Sequence, residues 1–339
     1  MGLDVQTGAD AVAPTPPERA AIVSPLRAYA PVVVAAVVLA LLPLAFGGSG
    51  YYRTLAIIML VYAAYAIAFN IIFGGTGQLF LCLGALGGLS AYVSVVLTQD
   101  GGLPLLVTVP LGTLLAAALG ALFSWVAVRR NLDVIFIGIV TLAFSLVFYN
   151  MVQGLRSLTG GETGMVVTGG TGTPLRGAVS YYVFVALLVA FLALYQLIDR
   201  SHLGWAFRAL KNDELAAELA GIDVARYRIM AGAIGAAMVG LTGALYVHHE
   251  GFISPSVFNF AHLDVRVLVV LAFGGIGSLL GPIVGAAAVS VLDEFLRPLG
   301  QLRLAVYGVV LMTLFLFFRQ GVVPTLAAAT HRVRDRVRR

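Results

Sequence analysis

Residues 204–246 read GWAFRALKNDELAAELAGIDVARYRIMAGAIGAAMVGLTGALY, and the two halves of that stretch differ in kind. The first half mixes both charges with alanines at helical spacing and holds the only lysine of the chain, Lys211. The second half, from Ile229 on, carries no charge through Tyr246 and approaches the roughly 20 apolar residues that cross a bilayer as a helix. A polar segment leading into an apolar span is therefore the element to explain. It is also the longest interruption in an otherwise nearly continuous apolar sequence.

Composition extends the same reading. Of 339 residues, 60% are hydrophobic and 11% charged, with a mean hydropathy of +0.97. A soluble domain carries about a quarter of its residues as charges, so lipid must cover much of this surface. The apolar runs are solid and do not alternate with period two, which excludes a β-barrel. Backbone polar groups in lipid must be satisfied within each segment, and an all-α polytopic transmembrane helical bundle follows. Crossings are expected near 32–46, 54–73, 79–97, 104–127, 134–154, 179–198, 229–248, 265–278, 281–297 and 303–318. The eighth and ninth are short and separated by Gly281-Pro282; a re-entrant hairpin is the alternative, giving about 8–10 spans.

Arginines orient the bundle. The positive-inside rule puts Arg332, Arg334, Arg336, Arg338 and Arg339 in the cytoplasm. Counting back puts Arg129, Arg130 and the 199–228 loop on the same side, and the weakly charged 155–178 loop outside. Both termini are expected in the cytoplasm: a disordered tail over 1–30, a membrane domain over 31–322 and a basic tail over 323–339. The start has no basic segment leading into an apolar core, so it does not read as a cleaved signal peptide.

Several chemistries are missing. Lys211 lies between Leu210 and Asn212, outside any Gly-Lys-Ser/Thr loop, so the chain has no P-loop for ATP. Cys82 is the single cysteine and reads as a buried spectator. His248, His249 and His262 flank an external loop without an inward ligand set, and no metal site is expected. The C-terminal arginines suit anionic lipid rather than nucleic acid.

Glu214 and Glu218 are four apart and share one helix face. Ala216, Ala217 and Ala220 permit close approach of another surface, and Gly221 permits a sharp end. With Asp213 they form a short polar helix suited to a cleft on a soluble partner. Two other stretches echo each other: Gly74-Gly75-Thr76-Gly77-Gln78-Leu79 and Gly274-Gly275-Ile276-Gly277-Ser278-Leu279. A parallel internal repeat is one reading and coincidence in a chain with 39 glycines is the other. These glycines allow close helix packing or expose backbone along a transport route, which Thr76 and Gln78 then line. Asp264 and Arg266 open the eighth span near the outer boundary, in reach of a zwitterion or of an external protein. Asp293 and Arg297, four apart, are expected to pair.

The polar loop resembles the coupling loop of ABC importer permeases, in which Glu-Ala-Ala is followed three residues later by Gly. Ala216, Ala217 and Gly221 match; the pattern's glutamate falls at Leu215, with Glu214 one place early. Further stretches resemble the LivM-type permeases for branched-chain amino acids: GGTGQL at 74–79, IVTLAF at 139–144, SLTGGETG at 157–164, GLTGALY at 240–246, GFISP at 251–255, GGIGSLLGPIVG at 274–285 and FFRQG at 317–321. The segment 131–138, NLDVIFIG, departs from the aromatic-rich pattern of that family.

The resemblance implies one half of a translocation route in a prokaryotic inner membrane. A homologous second permease, two cytoplasmic ATPase subunits that bind the ATP, and an external solute-binding protein would complete it. Asp213, Glu214, Ala216, Ala217, Glu218 and Gly221 would couple to the ATPases. Gly74, Gly75, Thr76, Gly77, Gln78, Asp264, Gly274, Gly275 and Gly277 are the candidate route. No catalytic residue and no cofactor of its own are expected. Urea or short-amide permeases have similar sequences, and an ion-coupled transporter acting alone is the alternative of a different class. The latter calls for carboxylates in mid-span, whereas most acidic residues here sit near span ends.

Overall fold

The computed structural model describes residues 25–45, 49–167 and 177–300, with scattered helical positions between 302 and 313. Most of the N-terminal tail, the basic C-terminal tail and most of the tenth crossing lie outside the described residues. Within them the chain is helical: α1 Pro25–Ala45, α2 Gly50–Phe69, α3 Leu83–Gln99, α4 Leu105–Arg129, α5 Val134–Gly154, α6 Arg156–Thr159 and α7 Ala178–Arg200. There follow α8 His202–Asn212, α9 Glu214–Leu219, α10 Val224–Glu250, α11 Asp264–Gly274 and α12 Gly281–Leu296. Helix α1 thus begins inside the segment read as tail.

Among the described residues, five stretches are long and apolar enough to cross a membrane: Gly50–Gly74, Leu105–Arg129, Val134–Gly154, Ala178–Arg200 and Val224–Glu250. Tyr29–Pro43 and Leu83–Gln99 are shorter apolar helices. The all-α polytopic expectation is borne out. Helix α2, extended by a π-turn over Asn70–Gly74, is the most enclosed span, 78% buried over its apolar window. It packs against α7, α10, α11 and α12. Helices α4 and α5 are each only 28% buried and turn most of their apolar surface outward.

Small residues set the tightest packing. Gly112, Ala116, Gly120 and Ser124 recur every fourth residue on α4, opposite Gly232, Ala236 and Gly240 on α10. A methyl group at Gly120 would strike Ala236 and the Gly232 backbone, and one at Gly240 would lie 2.7 Å from the Ala116 methyl. Gly243 lies equally close to the Gly87 backbone of α3. Lipid gives helices no hydrophobic reason to associate, so close backbone approach supplies the attraction.

One face of the bundle carries α8 and α9. The opposite face carries a two-residue antiparallel ladder, β1 Met165–Val166 with β2 Phe252–Ile253. Val167 N donates to Gly251 O at 2.9 Å, and Gln99 Nε2 donates to Val166 O at 2.7 Å. The two loops joined here are those the alternation of spans places on one side.

Two expected crossings are corrected. Residues 79–82 have no regular secondary structure, so the third span becomes helical only at Leu83. Helix α11 has 11 residues, about 16 Å at 1.5 Å per residue, roughly half of a ~30 Å hydrocarbon layer. The other half of that passage is irregular chain between Phe252 and Leu263. Phe258 packs on Gly84 and Gly88 of α3, so this chain runs inside the protein. Non-helical backbone is tolerated at membrane depth only under such cover. Helix α12, with 16 residues, runs from the α8 side back toward the start of α2, where Arg297 Nη1 donates to the Tyr51 hydroxyl at 3.0 Å.

Gly243→Ala should lower the melting temperature of the detergent-solubilised protein. Its methyl meets backbone that has no rotamer to change, and such overpacking costs about 1–3 kcal/mol. Gly50→Ala, with nothing within 4 Å, should leave the melt unchanged. Equal melts would show that the α3–α10 contact is looser than described.

Candidate functional site: two glycine turns beneath a polar helix pair

The echoing glycine stretches occupy equivalent places, each ending a helix that runs toward the α8–α9 face. Gly77 and Gly277 both adopt positive φ, 73° and 85°, and Gly275 does so at 103°. A side chain there is strained by about 1–2 kcal/mol, so glycine at these turns is a backbone requirement. The two turns touch through Asn70. Its Oδ1 accepts from Gly277 N at 2.7 Å, and its Nδ2 donates to Ser278 O at 3.0 Å. Gly74 must lack a side chain because its Cβ would fall on the Asn70 amide. Gly274 likewise abuts the Gly281 backbone, closing the α11–α12 hairpin.

Thr76 and Gln78 are buried rather than lining an open route, at 2% and 0% exposure. Thr76 Oγ1 donates to Ile72 O at 2.8 Å. Gln78 Nε2 donates to Thr76 Oγ1 at 2.9 Å and to Arg228 O at 3.0 Å, tying the first turn to the start of α10.

Asp264 is not at the outer boundary. It is 1% exposed and caps α3: Leu83 N donates to Oδ1 at 2.5 Å and Gly84 N to Oδ2 at 3.1 Å. Because Asp264 also begins α11, one carboxylate joins two helix starts inside the bundle. Arg266, two residues on, donates to the Tyr62 hydroxyl at 2.9 Å and pairs with Asp293 at 3.1 Å. The expected Asp293–Arg297 pair is therefore replaced; Arg297 instead meets Glu294 at 3.5 Å.

The polar helix pair is built by caps. Ser201 Oγ accepts from Leu203 N at 3.2 Å, Asp213 Oδ1 from Ala216 N at 3.0 Å, and Asp223 Oδ1 from Arg226 N at 3.0 Å. These cap the starts of α8, α9 and α10, each such cap contributing about 1 kcal/mol. Glu214 makes a two-pronged pair with Arg228, Oε1 to Nη1 and Oε2 to Nη2 both at 2.8 Å. Gly221, at φ 83° with open space around it, ends the motif.

Ala216 and Glu218 are exposed, whereas Ala217 is buried at 3%. Alongside them stand Leu215, Leu219 and Trp205, 67%, 82% and 71% exposed. Sequence reasoning missed these three; the signal was an apolar i, i+4 pair, Leu215 and Leu219, on a helix otherwise polar.

On its inner side α8 touches both turns. The Phe207 ring packs on Gly75, and Lys211 Nζ lies over Gly277. The Tyr195 hydroxyl donates to Gly277 O at 3.1 Å. Asn70, Gly75, Phe207, Lys211 and Ile276 border a cavity of about 280 Å³. Burial there pushes the Lys211 ammonium below its ordinary pKa. No group of three metal-ligating side chains occurs among the described residues. His248 is engaged with Ser94 Oγ at 2.8 Å, while His249 stands edge-on to Phe184.

A membrane-crossing helical bundle with interrupted helices meeting inside it, and a capped polar helix pair projecting from one face, has the architecture of a membrane permease. Comparison with known proteins gives the family. The model for the branched-chain amino acid transport system / permease component matches residues 51–318, and the chain belongs to that family. It is 28% identical over 298 residues to the high-affinity branched-chain amino acid transport system permease protein LivM of Escherichia coli, covering 80% of this chain and 69% of that one. LivH of Salmonella typhimurium is 33% identical over 33% of this chain and 35% of its own. The fructose import permease FrcC of Rhizobium meliloti is 30% identical over 37% of this chain and 36% of its own. No solved structure matches.

Asn70→Ala should loosen the junction of the two turns, because it strands Gly277 N at a cost of about 1–3 kcal/mol. Hydrogen exchange at residues 275–278 should quicken while exchange in α4 stays unchanged. Unchanged exchange at 275–278 would remove Asn70 from this role.

Proposed function

We propose that this chain is one of two permease halves of an ATP-driven importer for branched-chain amino acids, residing in a prokaryotic inner membrane. The observation that carries the reading is the capped α8–α9 pair, which offers exposed Trp205, Leu215 and Leu219 beside the exposed Ala216. Large apolar side chains on a polar, charge-balanced helix pair suit a protein cleft better than an anionic headgroup layer. The basic clusters at Arg129–Arg130 and 199–228 support a cytoplasmic position for this face, where the ATPase subunits would grip it.

The cargo reading leans on the long LivM match, since the sugar permeases match over much less of the chain. ATP-driven movement of the ATPases would press on α8, whose Phe207 and Lys211 bear on the glycine turns at Gly75 and Gly277. The turns end α2 and α11, so force applied at the docking face reaches the interrupted helices within one residue layer. An external binding protein would deliver the amino acid to the face carrying β1 and β2.

Ala216→Arg should abolish uptake without disturbing insertion, because the position is exposed. Loss of a central docking contact of 2 kcal/mol or more weakens ATPase capture by about thirtyfold. Ala217→Arg, at a buried site, should instead destabilise α9. Co-purification of the ATPase subunits, with hydrolysis stimulated by loaded binding protein, checks both. Wild-type capture and coupling by Ala216→Arg would refute the docking role.

A further inference from the structure

A second cavity, of about 420 Å³, lies between α2, α11 and α12 toward the face opposite α8. Small-molecule sites occupy about 300–1,000 Å³, so an amino acid fits with room for water. Its lining is divided by chemistry. On one side stand Arg266, Asp293, Glu294 and Arg297; Leu55, Ile58, Val270 and Val289 supply aliphatic surface.

The charged side is organised around two tyrosines. The Arg266 guanidinium stacks 4.9 Å from the centre of the Tyr62 ring and meets Asp293 at 3.1 Å. Arg297 lies 5.8 Å over the Tyr51 ring and meets Glu294 at 3.5 Å. The Arg266 and Asp293 side chains are 16% and 21% exposed, so they border open space without being bathed in it.

A purely structural pair accounts poorly for this. Helices α11 and α12 are already locked by backbone contacts, Gly274 on Gly281 and Gly285 on the Val270 carbonyl. An apolar pair of similar size would hold them as well, without the desolvation cost of two charges. Ionisable groups within membrane spans are costly, and they concentrate where substrates or ions pass.

We propose that this cavity is a subsite for a free aliphatic amino acid in its zwitterionic form. The α-carboxylate meets the Arg266 guanidinium, the α-ammonium meets the Asp293 carboxylate, and the side chain lies against Ile58, Val270 and Val289. Equal numbers of guanidinium and carboxylate groups suit a ligand that carries one charge of each sign and no net charge. An inorganic anion would be repelled by the two carboxylates. The assignment rests on the importer reading above and adds to it where the cargo pauses and what selects it.

The test is leucine and alanine uptake by the complete importer in liposomes, with binding protein and ATPases present. Arg266→Gln should cut leucine uptake about tenfold or more, the loss of one charge-assisted hydrogen bond. Val289→Phe, which fills the aliphatic side, should shift preference from leucine toward alanine by about tenfold. Wild-type uptake by Arg266→Gln, or an unaltered leucine-to-alanine ratio in a Val289→Phe complex that transports, would overturn the subsite. Should Arg266→Gln fail to assemble, Val289→Phe decides alone. Failure of the unaltered complex to transport either amino acid would instead overturn the cargo reading on which the subsite depends.

Discussion

The start of α3 lies inside the bundle, and its first amides have no helical acceptors. A helix leaves four N–H groups unsatisfied at its N-terminus, and here Leu83 and Gly84 are buried. The Asp264 carboxyl group accepts from Leu83 and Gly84 in place of the missing helical acceptors. Much else in the architecture is a consequence. For Asp264 to be there, the chain after α10 must return into the protein, which it does as the irregular segment 252–263. For that segment to be sheltered, α3 must present Gly84 and Gly88 to Phe258. For α3 to begin at that level, residues 77–82 must connect it to the first glycine turn without helix.

The second consequence concerns communication. Interrupted helices leave free ends, and free ends are where a bundle deforms most cheaply. Here both turns on the α8 side are held by one amide, Asn70, and covered by one helix, α8. The caps at Ser201, Asp213 and Asp223 and the Glu214–Arg228 pair brace the polar segment at several points. In the proposed importer, a braced segment resting on two glycine turns would transmit displacement that a floppy loop would dissipate. The α4–α10 contact, built mainly from glycine and alanine with no rotamer to change, would give that segment something fixed to move against.

Much of this was legible in the sequence, and the failures have a common cause. Continuous apolar runs gave the long helices, because burial in lipid and helix formation demand the same pattern. The polar helix and its Gly221 end were readable because such end signals are local. Asp264 and the α11 boundary were misplaced because hydropathy averages over a window and cannot see a helix that starts halfway across. Asp293 was assigned to Arg297 by spacing, whereas Arg266, 27 positions away, lies closer in space. Asn70 carried no signal at all: an asparagine within an apolar run becomes a clamp only once the second turn is folded against it. The repeat of the glycine stretches was visible as letters, and positive φ at Gly77 and Gly277 gives the letters a shared physical reason.

The polar residues inside this bundle sort into two kinds. Asn70, Thr76, Gln78 and Asp264 direct hydrogen bonds to the protein's own backbone, mostly at helix breaks, and their burial is nearly complete. They replace the water that membrane depth denies. Arg266 and Asp293 bind side chain to side chain beside open volume. Backbone-directed groups cannot exchange partners without unfolding a helix end, so they set shape. Paired side chains next to a cavity can exchange a partner for a ligand of the same charges at little cost in shape. That difference, rather than polarity as such, separates framework from binding surface in a chain where every charge within a span is expensive.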